Sequence, residues 1–105
     1  MPKIGDWMIY RPSSGRAAPV LVKIESMEES EEPREAYGSE RKDVTWRAIE
    51  DNRVSFCFSN GFWGYSDQVD IEDSKQAQQY MELPVEDVAA SAGTLHPLIV
   101  EARLS

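Results

Sequence analysis

The side chains able to do nucleophilic or acid–base chemistry are few: the chain holds one histidine, His96, and one cysteine, Cys57. His96 precedes Pro97 in what reads as a connector. No nearby motif completes a general base around it, so a surface or capping role is expected. Cys57 lies between Phe56 and Phe58. That setting suits a thiol packed as a small hydrophobe, whereas a reactive thiolate needs an accessible, electropositive site. Sequence separation does not bar a Cys57–His96 dyad, but no third group is marked to orient it. Metal-ligand spacings are lacking, with no His-x-x-x-His and no Cys-x-x-Cys. Asp67, Asp70, Glu72 and Asp73 are close in sequence. On a strand, however, Asp67 and Asp70 would face opposite ways, and the window lacks the glycine and spacing of a calcium loop. Asn60-Gly61-Phe62-Trp63-Gly64-Tyr65 has two glycines but neither the lysine nor the following helix of a phosphate-binding loop. No cofactor and no metal is expected.

The stronger signal is aromatic. Phe62, Trp63 and Tyr65 crowd beside the Asn60-Gly61 turn. Successive strand residues face opposite sides, so three large rings at a hairpin tip cannot all enter one small core. Either they are divided between core and edge packing, or at least one lines a groove or a self-association patch. Trp7, Tyr10 and Trp46 are expected on neighbouring strands. Arg47 and Arg53 flank Asp51-Asn52, where they either face solvent or hold an anionic ligand group beside the rings. The candidate interaction or ligand surface is therefore Phe62, Trp63, Tyr65, Trp46, Arg47 and Arg53.

The elements that must position these residues read as β over the first two-thirds of the chain. Asp6 to Tyr10 is a short strand rich in aromatic and branched residues, and Arg11 to Pro19 a turn-rich loop. Val20 to Met27 is a second strand, with Val20, Val22 and Ile24 on one face and Leu21, Lys23 and Glu25 on the other. The alternation of Val44, Trp46 and Ala48, then of Val54, Phe56 and Phe58, predicts two strands joined by Asp51-Asn52, whose side chains tolerate positive φ. A further strand over Tyr65 to Ile71 would complete a three-stranded meander. Between these units, Glu28 to Glu40 has almost no apolar residue with which to offset ordering entropy, and it reads as a mobile, solvated loop anchored at its far end by Tyr37-Gly38.

The last third changes period. Asp73-Ser74-Lys75-Gln76 resembles a capping box opening a helix through Met81, which Pro84 ends. Pro84 opens a second short helix as its first residue, with Val85, Val88, Ala89 and Ala92 as its buried stripe and Gly93 as its stop. Leu98, Val100, Ala102 and Leu104 alternate with Glu101 and Arg103, which predicts a C-terminal strand returning to the sheet.

The run Ile4-Gly5-Asp6-Trp7-Met8-Ile9-Tyr10-Arg11-Pro12-Ser13-Ser14-Gly15, followed by Val20-Leu21-Val22-Lys23-Ile24-Glu25, resembles the opening of SH3-like and Tudor-like small barrels. The resemblance covers about the first quarter of the chain and implies a fold only; no functional residue is carried over from it. The expected architecture is α+β in one domain over residues 1–105. It comprises a strongly bent antiparallel sheet or small SH3-like barrel of about five to six strands, with one or two short helices before a C-terminal strand.

Size and charge narrow the function. A chain of 105 residues suits one hydrophobic core. No apolar run approaches the roughly 20 residues of a membrane span. A lone cysteine rules out an internal disulfide, and with no signal-peptide pattern at MPKIGDWMIYR the expected location is cytoplasmic. The chain has 11 basic and 19 acidic residues, for a net charge of −8. The acids concentrate after residue 25: residues 26–43 carry seven, against Arg34, Arg41 and Lys42. Nucleic-acid binders present a basic face, so nucleic acid is not an expected partner. These features favour a small acidic, non-catalytic interaction module that binds itself or a protein partner through an aromatic β-surface. Two alternatives remain: a small ligand-binding protein or modest enzyme with a pocket between sheet and helices, and an acidic inhibitor of a basic nucleic-acid-binding protein.

Overall fold

Residues 1–36 and 43–105 are described by a computed structural model. Four strands form one antiparallel sheet in the order β1-β2-β3-β4: Trp7–Tyr10, Val20–Glu29, Val54–Phe58 and Trp63–Tyr65. Helix α1 is a tight turn over Pro12–Gly15, with Ser13 and Ser14 both in left-handed backbone at φ 54° and 57°. Helix α2 spans Trp46–Glu50, α3 Ile71–Tyr80, α4 Val85–Ala90 and α5 Pro97–Leu104. Among the described residues no helix is long and apolar enough to cross a membrane.

Period-2 alternation gives the sheet two apolar faces. Met8, Tyr10, Val22, Ile24, Val54, Phe56 and Phe58 point to one side and join Val44, Ala48 and Ile49 of the α2 region in the larger core. Ile9 points to the other side and packs with Ala77, Val88 and Ile99 from the helices and Leu95 from the connector before α5, with Trp7 and Leu21 half-buried against them. A register shift between Ile24 and Ser26 lets β2 keep its face over ten residues. The shift puts Met27 rather than Ser26 into the larger core, as a β-bulge does by adding one residue.

The architecture is α+β, but the sheet is not closed into a barrel, and the described residues form four strands where five to six were expected. Three expected strands are corrected. Val44 to Glu50 contains helix α2, because Thr45 is an effective cap: its Oγ1 accepts from the Ala48 amide at 3.1 Å. Adjacent Ala48 and Ile49 are both buried there, which no half-buried strand allows. The strand expected over Tyr65 to Ile71 stops at Tyr65; a 3-10 turn over Ser66–Gln68 follows, and only a single bridge, Tyr10 to Val69, reaches back to β1. The C-terminal segment is helix α5, not a strand. Pro97 occupies its first turn, and His96 Nδ1 accepts from the Leu98 amide at 3.1 Å. The fully buried residue is Ile99, which lies between the alternating positions.

Other boundaries shift less. Helix α3 starts after Asp70 rather than Asp73, and Pro84 precedes α4 instead of opening it. In α4 only Val88 is buried, while Val85 is exposed. The Asp51-Asn52 turn forms with Asn52 at φ 58°, but it joins a helix to β3. Part of the acidic segment takes regular structure, and residues 37–40 of it lie outside the described residues. Glu28 and Glu29 extend β2, and Pro33–Glu35 forms a 3-10 turn. Tyr37-Gly38, the expected anchor, lies outside the described residues.

Candidate interaction surface

The tip between β3 and β4 is built by Asn60. Its Oδ1 accepts from the Phe62 amide at 3.1 Å, closing a local turn, and its Nδ2 donates to the Tyr10 hydroxyl at 3.1 Å. Tyr10 is fully buried, so this bond ties the tip to the core. Gly61 supplies the left-handed residue at φ 84°, and the Phe58 amide donates to the Phe62 carbonyl at 2.9 Å. Ser59 then fastens the tip sideways to β2: its amide donates to the Lys23 carbonyl and its Oγ accepts from the Lys23 amide, each at 2.9 Å.

Which rings face out follows from Gly64. It faces the larger core, where a Cβ would stand 2.5 Å from Phe58 Cε2. Phe58 itself is stacked between Tyr10 and Phe56, with ring centroids 4.2 Å and 5.4 Å away. Alternation therefore turns Trp63 and Tyr65 away from that core. Trp63 is 50% exposed and Phe62 62%. Tyr65 is half-buried, with the Arg34 guanidinium 4.5 Å from its ring centroid. Arg34 also pairs with Asp67 at 2.7 Å, so the 3-10 turn of the acidic segment is held against the start of the next loop.

The remaining candidates do not join this tip. Trp46 sits on α2, half-buried against the larger core, with the Lys75 ammonium 5.3 Å from its ring. Arg47 and Arg53 do come together, but on Asp51, at 3.1 and 3.7 Å. Arg53 also faces Glu29 and Glu31 at 3.6 and 3.9 Å. Three carboxylates thus surround two guanidinium groups, and an anionic ligand would meet net negative charge.

The groups weighed for catalysis are engaged elsewhere. Both ring nitrogens of His96 are directed: Nδ1 at the Leu98 amide, Nε2 at Asp73 Oδ2, 3.8 Å away. Asp67, Asp70, Glu72 and Asp73 each face a different basic side chain: Arg34, Arg11, Lys75 and His96. Among the described residues no three potential ligands gather for a metal ion. Cys57 is not in the core as expected; it is half-buried on the opposite face of β3, across from Trp63.

Sequence reasoning missed a second surface. An open groove of about 540 Å³ runs between the sheet and α5, lined by Trp7, Val20, Leu21, Leu98, Glu101 and Ala102. Reading residues 98–104 as a strand hid it, since a helix is needed for its second wall. No family model matches the chain, and no curated protein and no solved structure matches it.

Proposed function

We propose that the chain is a non-catalytic interaction module whose contact surface is centred on Phe62 and Trp63. One observation carries this reading: two adjacent large aromatic side chains stand 62% and 50% exposed on a tip that Asn60 and Ser59 hold in place. Aromatic residues supply a large share of binding energy where they become desolvated, and a tip already ordered loses little entropy on binding. The acidic-inhibitor reading has less support, because Glu29, Glu31 and Asp51 all face Arg53. The small-ligand reading has the groove in its favour. Ligand sites, however, enclose most of their ligand and converge several polar groups upon it, whereas this groove is open and offers one carboxylate.

The test compares wild type with Trp63→Ala by sedimentation over a wide concentration range, alongside melting temperature. Trp63→Ala is expected to weaken association by removing the contacts made through the tip, while shifting stability by less than about 1 kcal/mol. A variant that associates as wild type does, but melts lower at every concentration, would make Trp63 a packing residue and remove the reading's support.

A further inference from the structure

We propose that the groove between the β1–β2 strands and α5 seats a second copy of this chain across a twofold axis, locked by reciprocal Lys23–Glu101 pairs. This goes beyond the reading of the Phe62–Trp63 tip and does not rest on it. The groove wall is apolar through Trp7, Val20, Leu21, Leu98 and Ala102, and its one ionised lining group is Glu101, on α5. The sheet side carries the opposite charge. Lys23 is the direct cross-strand partner of Trp7, and its ammonium stands 4.9 Å from the indole centroid. Among the described residues neither Lys23 nor Glu101 has an ion-pair partner.

The charge arrangement selects the occupant. A cationic apolar segment would be drawn to Glu101 but would meet Lys23 at Trp7. An anionic one would meet the reverse. The matching partner presents an apolar strip with both signs in opposite order, and this chain rotated by a half-turn is such a partner. In an isologous contact each residue pair occurs twice, so Lys23 of each copy faces Glu101 of the other. The Trp7, Leu21 and Leu98 side chains, half-buried in one copy, supply the apolar centre. The net charge of −8 on each copy opposes indiscriminate association, which leaves local complementarity to decide how two copies meet.

The test is charge reversal read by sedimentation equilibrium. Wild type is expected to dimerise, and Lys23→Glu and Glu101→Lys each to weaken dimerisation by about a hundredfold or more, because each reversal sets like charges together at two sites. An equimolar mixture of the two variants is expected to recover dimers, since Lys23→Glu supplies only acidic and Glu101→Lys only basic partners at those positions. Trp63→Ala is expected to keep this dimer, which separates it from association at the tip. Both reversed side chains are exposed, and circular dichroism on each variant verifies that it folds. The proposal is overturned if wild type stays monomeric, if either reversal leaves the dimer intact, if the mixture fails to pair, or if Trp63→Ala dissolves the dimer.

Discussion

The two outer edges of the sheet are finished by opposite means. The edge of β1 is sealed by a helix. Ser74 of α3, fully buried, accepts from the Ile9 amide at 2.9 Å and donates to the Ile9 carbonyl at 3.1 Å. Gln78, one turn on, donates to the Trp7 carbonyl at 3.0 Å. Together with the Asp70 amide on the Ile9 carbonyl, these side chains replace a missing strand, which an edge otherwise demands. The edge of β4 is kept short instead. After three residues the Tyr65 amide is taken by Gln68 Oε1 at 3.0 Å, and Ser66 then serves Val54 on β3 as Ser74 serves Ile9, accepting at 3.0 Å and donating at 3.1 Å. The sealed edge carries small and polar side chains on its covering helix. The short edge carries Trp63, next to exposed Phe62. Polar closure and aromatic display are therefore segregated to different ends of one sheet, and substitution at each end should have different consequences.

The largest effect is expected where the short edge touches the core. Gly64→Ala places a methyl against a Phe58 ring already stacked on both sides, with Phe58 Cζ at 3.2 Å and Tyr10 Cδ2 at 3.5 Å as further contacts. Stacked rings cannot retreat without disturbing Tyr10 or Phe56. A loss of about 3 kcal/mol is expected from overpacking, read as a lower denaturant midpoint at unchanged slope. A loss under about 1 kcal/mol would mean that β4 shifts outward freely and that the tip is not held by the core.

The sealed edge should respond next. Ser74→Ala removes the acceptor of the Ile9 amide and leaves a buried donor unsatisfied, while the Ile9 carbonyl keeps the Asp70 amide at 2.9 Å. One orphaned donor is expected to cost about 2 kcal/mol. Hydrogen exchange at the Ile9 amide should accelerate with it, because the protecting partner is gone. If stability falls while Ile9 stays protected, the serine acts through packing alone, and the comparison of edges loses one side.

Much of the sheet was legible from residue types, because half-buried strands carry a period that few other structures imitate. Val20, Val22 and Ile24 against Leu21, Lys23 and Glu25 marked β2 and its two faces, and Val54, Phe56 and Phe58 marked β3. The errors arose where an apolar stretch was short. Val44, Trp46 and Ala48 straddle a helix start, with Val44 before the cap and only Trp46 and Ala48 inside α2, so three alternating positions could not decide, and the Thr45 cap did. Leu98-Ile99-Val100 is apolar at every position, which makes alternation uninformative, and His96-Pro97 was the better guide. That three rings beside the Asn60-Gly61 turn could not all enter one core followed from strand geometry, but which of them face out depended on Gly64 against Phe58. That Arg47 and Arg53 converge on Asp51, and that Arg34 covers Tyr65, depends on contacts between segments distant in sequence, which no local pattern carries. The groove is of the same kind: Trp7 and Leu98 meet only once the helices fold over β1 and β2.

A smaller effect on stability than at either edge is expected where the mounting of the aromatic display is probed. Asn60→Ala removes the acceptor of the Phe62 amide and the donor to the Tyr10 hydroxyl. The amide lies at the surface and can turn to water, so its loss costs little. The hydroxyl is attached to a buried ring and loses a partner, which sets the cost at about 1 kcal/mol. Asn60→Asp separates the two bonds. A carboxylate still accepts from the Phe62 amide, and the Tyr10 hydroxyl can rotate to donate to it instead of accepting. Stability near that of wild type is expected for Asn60→Asp, read by thermal melts beside Asn60→Ala. If the tip is mounted as described, Asn60→Ala should also speed hydrogen exchange at Gly61 and Phe62 while leaving Phe56 protected in the core. Equal exchange in both variants would mean that Gly61 and the strand ends hold the tip without Asn60, and that the ordering of Phe62 and Trp63 before binding has another source.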